Sequence, residues 1–142
     1  MKFKNEMDKG VAGAIANTEN SNIISRTVED AAGIAFGLAV AQGVNDKGIR
    51  AVTTGDAAFV GVTVLDRTAS DLQGNGKFSH YESARILEEG VIWVEVTAAV
   101  KAGDAAAVDL ATGKFNKAGA AMAGARFETS AASGGLAQLR LK

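Results

Sequence analysis

The stretch Gly90-Val91-Ile92-Trp93-Val94-Glu95-Val96 decides the fold class. Ile92, Val94 and Val96 alternate with Trp93, Glu95 and Thr97. Successive side chains of a strand point to opposite faces, so this spacing builds one apolar face on an extended chain. The alternation recurs in both directions from here. Towards the N-terminus, Ile34, Phe36, Leu38 and Val40 oppose Ala35, Gly37 and Ala39, and Val60, Val62 and Val64 oppose Phe59, Gly61 and Thr63. Towards the C-terminus come Ala106, Val108 and Leu110, then Ala137, Leu139 and Leu141 against Gln138, Arg140 and Lys142. Weaker candidates lie at Ile49–Thr53, Ala84–Leu87 and Arg126–Thr129. Short strands at this spacing predict an all-β domain, a jelly-roll-like sandwich or barrel.

Two stretches are less direct. Ser79-His80-Tyr81-Glu82 has the form of a helix capping box, and Tyr81, Ala84 and Leu87 follow at helical spacing. Ala84–Leu87 also reads as a strand that turns through Glu88-Glu89-Gly90 into Val91–Thr97. A tight antiparallel hairpin would partner both segments, so strand is the expectation. Lys117–Ala125, rich in Ala and Gly and without periodicity, is expected to be a loop. With 17 Gly and no Pro, turns fall to Gly, Asn and Asp, as in Gly74-Asn75-Gly76, Ala102-Gly103-Asp104, Thr112-Gly113-Lys114 and Gly134-Gly135.

Residues 1–30 differ from the rest. Phe3, Val11, Ile15, Ile23 and Ile24 stand isolated among Asn, Ser, Thr, Gly and Ala, too sparse to offset the entropy of ordering the segment alone. The expectation is an extended N-terminal arm over 1–30, ordering against another surface, ahead of a β domain over 31–142. A frayed terminus is the alternative. Candidate contact residues are Phe3, Val11, Ile15, Ile23, Ile24 and Arg26 in the arm and Trp93 in the domain, where ordinary sandwich packing competes for Trp93.

Charge and residue usage exclude much chemistry. Fifteen Lys and Arg against sixteen Asp and Glu leave a net charge of −1 with no basic stripe, which argues against nucleic acid as partner. No Cys and a single His remove disulfides, thiol catalysis, Cys-ligated metal and any two-imidazole site. No apolar run approaches a membrane span and Met1–Gly10 is too charged to lead a signal peptide, so a soluble chain is expected. His80 could serve as a general base, but a lone His beside Ser and Tyr is more often solvated surface. Glu88-Glu89 and Glu29-Asp30 are adjacent carboxylates, which on a strand point to opposite faces. Asp66, Asp71 and Asp104 lack calcium-loop spacing, and Gly74-Asn75-Gly76-Lys77 matches no phosphate loop. No catalytic, cofactor-binding or metal-ligating set is expected, and the chain is taken as non-enzymatic. A lipoyl- or biotinyl-like carrier, or a small ligand-binding β domain, stays open as an alternative on Val100-Lys101-Ala102-Gly103-Asp104 and Lys117, and a small hydrolase using His80 as a further one.

One resemblance gathers the scattered pieces. Asn22-Ile23-Ile24-Ser25-Arg26-Thr27, Gly33–Val40, Phe59–Val64, Gly90–Val96, Ala102-Gly103-Asp104, Leu110–Phe115, Gly124–Thr129 and Gly134–Leu141 occur in this order from about residue 20 to the end. Together they resemble the cement, or head-decoration, proteins of tailed bacteriophages. The resemblance implies a jelly-roll-like β domain and a homo-oligomer, dimer or trimer, on the capsid exterior. There it would clamp neighbouring copies of the phage major capsid protein, after synthesis in the host cytoplasm. No membrane or nucleic-acid partner and no cofactor are implied.

Overall fold

The computed structural model describes residues 10–66 and 77–142. The fold is all-β, with no helix among the described residues. The strands are β1 (Asn22–Val28), β2 (Ile34–Ala35), β3 (Ala39–Gln42), β4 (Gly48–Ala51), β5 (Gly61–Thr63), β6 (Lys77–Phe78), β7 (Ser83–Glu95), β8 (Ala105–Val108), β9 (Phe115–Asn116), β10 (Ala120–Phe127) and β11 (Leu136–Leu141).

The long strand β7 organises the others. Its first half pairs antiparallel with β1 and β5, and its second half with β11. β5 pairs with β3, β3 with β4, and β4 returns to β1 in parallel at Thr27 and Val28, so β1-β4-β3-β5-β7 is a closed ring. Beyond β7 the sheet continues through β11, β10, β8 and β9. β9 comes back to the end of β7, where Phe115 bridges Val96 and the Thr97 N–H donates to the Phe115 carbonyl at 2.9 Å. A barrel and a second curl of sheet thus share one strand, and closure leaves few exposed edges. β2 and β6 pair separately.

Each half has its own core. Val28, Ile34, Val40, Ile49, Phe78, Ala84 and Ile86 pack together in one, and Leu87, Ile92, Val94 and Val96 join Phe115, Phe127 and Leu139 in the larger. β7 serves both by changing phase. Asn22 lies opposite Glu89 and Ile23 opposite Leu87, so Glu88 is an extra residue, a β-bulge. One inserted residue exchanges the two faces of a strand, which is why Leu87 and then Ile92, Val94 and Val96 share a core.

Several expectations change here. No hairpin forms between Ala84–Leu87 and Val91–Thr97: the bulge absorbs Glu88, and β1, β5 and β11 supply the partners that a hairpin would have provided. One capping-box bond forms, from the Ser79 N–H to Glu82 Oε1 at 2.8 Å, while the Glu82 N–H donates to the Ser79 backbone carbonyl at 3.0 Å, the bond of a β-turn. They close a turn instead of a helix, because Tyr81 is left-handed at φ 64°. Within Lys117–Ala125, expected as loop, Ala120–Ala125 belongs to β10. A register shift between Ala121 and Arg126 breaks its alternation while Met122 and Ala125 remain buried. Gly37, at φ 77°, divides Ile34–Val40 into β2 and β3. Asn22–Val28, inside the stretch expected as an arm, is β1; neighbouring Ile23 and Ile24 pack against different cores, so no one-sided pattern shows. Asp71 and Gly74-Asn75-Gly76 lie outside the described residues.

Candidate interaction surface

The segment ahead of β1 is laid along the edge of β7 that β11 leaves free. The Gly13 N–H donates to the Trp93 carbonyl at 2.8 Å, the Trp93 N–H to Ala14 O at 2.9 Å and the Ala16 N–H to Val91 O at 2.9 Å. The Leu65 N–H closes on Gly13 O at 2.8 Å from the other side. Gly13 has no alternative at this crossing. Its φ is 87°, and a Cβ there would stand 2.7 Å from Phe36 Cβ and 3.0 Å from the Gly37 and Leu65 nitrogens. Gly10 lies flat on the Trp93 ring, where a Cβ would come within 2.6 Å of Cδ1.

This placement sorts the predicted residues. Val11, Ile15 and Trp93 gather on the second half of β7, with Trp93 buried beneath Gly10 while Val11 and Ile15 are 55% and 36% exposed. Ile23, Ile24 and Arg26 lie apart from them on β1, all half-buried. Arg26 donates from Nη1 to Ser25 O at 2.9 Å, and its buried Nε has no partner among the described residues. Phe3 lies outside the described residues. His80 stacks on Tyr81 at 3.6 Å in an exposed turn.

An ion cluster that the sequence did not reveal fastens the segment leading into β1. Arg140 of β11 donates from Nη2 to both Glu19 oxygens at 2.7 and 2.9 Å and from Nε to Glu128 Oε1 at 2.7 Å. Arg126 Nε reaches the same Glu128 oxygen at 2.9 Å. These bonds hold the Glu19 and Glu128 carboxyls below the usual value of 4.5, Arg140 being the largest cause for each. Glu19 and Arg140 are far apart in the chain, and no spacing rule connects them.

The chain from residue 1 to 142 matches the family described as structural cement protein (E217 gp24/Pam3 gp6). It belongs to that phage cement family. A solved chain from a structure titled "The capsid of Myoviridae Phage XM1" shares the fold, with a TM-score of 0.71 and 19% identity, over 99% of this chain and 94% of that chain. No curated protein sequence matches. As a phage cement protein the molecule is a structural component of the virion capsid that binds capsid protein and stabilises the shell. Exposed apolar groups on a rigid barrel suit that work better than any pocket lined with reactive groups would.

Proposed function

We propose that the molecule sits on the outer surface of the phage head after synthesis in the host cytoplasm, and holds adjacent major capsid protein subunits together. Of residues 1–30, the part ahead of β1 acts as the arm; Val11 and Ile15 are its anchors, and Phe3 is a third contact residue. Trp93 is the seat on which the arm lies. The observation that carries this reading is the arm itself: it is hydrogen-bonded along β7 yet turns Val11 and Ile15 outward, where an isolated chain gains nothing from them.

The protein works as a homo-oligomer, dimer or trimer, with Ile23, Ile24 and Arg26 at the seam between copies. β4 takes the other edge of β1 only at Thr27 and Val28, so among the described residues Asn22–Arg26 keep that edge open. An open strand edge favours a second chain. Interspersed charges of both signs support protein, and neither nucleic acid nor membrane, as the partner.

Pelleting with expanded heads produced without this chain tests the arm. Burying one such side chain contributes roughly 1.5–3 kcal/mol, part of which is offset by ordering entropy. The double variant Val11→Asp, Ile15→Asp is therefore expected to bind at least about tenfold more weakly with an unchanged circular dichroism spectrum. Binding equal to that of the unaltered chain would remove the arm from the contact.

A further inference from the structure

The most exposed large apolar side chains among the described residues lie away from the arm: Val44 is 94% exposed and Tyr81 74%. Single exposed apolar residues are ordinary on protein surfaces. These two stand out by how firmly they are held.

Val44 tips the β3–β4 connection, a loop bonded throughout. The Glu29 carboxylate accepts the Val44 N–H at 3.0 Å and the Asn45 N–H at 3.3 Å. Gln42 Nε2 donates to Asn45 O at 2.7 Å, and the Gly43 N–H to Gly48 O at 2.9 Å. A side chain at Gly43 or Gly48 would occupy the carboxylate's place, so this loop is shaped around Glu29. Tyr81 is held at φ 64°, a left-handed conformation that side chains other than those of Asn and Asp rarely adopt. Its N–H donates to Val28 O at 2.8 Å, and its ring stacks on His80 with 25° between planes. The Thr27 N–H donates to Lys47 O at 2.8 Å. Both loops are therefore fastened to Thr27–Glu29, at one end of the barrel.

An exposed aromatic kept in a strained conformation points to a use outside the folded chain. We infer that this barrel end is a second contact with the capsid shell, in which Val44 and Tyr81 enter apolar hollows of a capsid-protein surface as fixed anchors. The inference rests on the cement reading above: the family binds capsid protein, the arm supplies one contact, and this end presents firmly held apolar groups away from it. β7 spans the interval: Ser83 lies opposite Thr27 at the barrel end, and Ile92 opposite Ile15 on the arm. At about 3.3 Å per residue, roughly 30 Å of strand separates the two. Asp46 and Lys47, both exposed, give the knobs a polar surround, as at the rim of a protein interface. Anchors already fixed lose little freedom on docking, and Tyr is among the residues that most often dominate such contacts. Two contacts on one rigid body reinforce each other, so removing either lowers the apparent affinity steeply.

The test uses the full-length chain and expanded heads produced without it. Val44→Asp and Tyr81→Gly are each compared with the unaltered protein by pelleting, thermal melting and sedimentation of the free chain. Tyr81→Gly relieves the left-handed strain, so the expected result is an equal or higher melting temperature together with at least about tenfold weaker binding. Val44→Asp is expected to melt unchanged and to bind at least about tenfold more weakly. If the unaltered chain binds and both variants bind equally well, the second contact is overturned and the cement reading stands. Failure of the unaltered chain to bind overturns both. Variants that sediment as smaller species while binding heads normally also overturn the inference, and assign this end to a second copy of the chain.

Discussion

Arg140 shows how much rests on one side chain. It joins Glu19, ahead of β1, to Glu128, just past β10, and so ties the arm to the far half of the sheet. Both carboxyls titrate below the usual 4.5 because Arg140 favours their charged forms. A depressed carboxyl stabilises the folded state above its unfolded value, and that contribution disappears as pH falls through the lower, folded value. The arm is therefore expected to loosen on acidification from neutral pH to below the usual carboxylate range. Trp93 is the single Trp and lies under Gly10, so its fluorescence reports that release directly. The expected change is a shift to longer wavelength at low pH, occurring already at neutral pH in Arg140→Ala. A spectrum independent of pH in this range would show that backbone bonds alone hold the arm.

At the scale of elements, β11 and the second half of β7 were legible in the sequence because each has one face on a core and no irregularity between Val91 and Glu95 or Leu136 and Leu141. Ala84–Leu87 also reads as the strand it is, but its continuity with Val91–Glu95 was hidden, since Glu88-Glu89-Gly90 has the residues of a turn and forms a bulge whose partners are distant in the chain. β10 was hidden by its own register shift, and β1 by serving two cores at once. Of the surface, Val11 and Ile15 could be read as isolated apolar residues, whereas no pattern in the sequence singles out Val44, and Tyr81 reads only as part of a capping box. The bulge makes a sharp prediction. Glu88→Ala leaves the register intact and is expected to change stability by no more than about 1 kcal/mol. Deleting Glu88 moves Ile92, Val94 and Val96 off the larger core and is expected to abolish cooperative thermal unfolding. A deletion variant that unfolds as sharply as the unaltered chain would show that the phase change lies elsewhere.

As a whole molecule, this phage cement protein is a closed barrel and a curl of sheet built on one strand, with an arm laid across the second half. Most of its Val, Ile, Leu and Phe are spent on two cores, with small residues such as Ala39, Ala41 and Ala137 among the lining. Such a body changes little when it docks, and a rigid body touching two subunits resists their separation. A ligand that binds only the intact shell raises the temperature at which the shell comes apart, in proportion to the logarithm of its concentration once sites are filled. Scanning calorimetry of expanded heads, with and without added protein, therefore tests the central claim. The head transition is expected to move to higher temperature on addition and to keep rising slowly as free protein increases. A head transition at the same temperature, with the protein melting separately as though alone, would contradict the account.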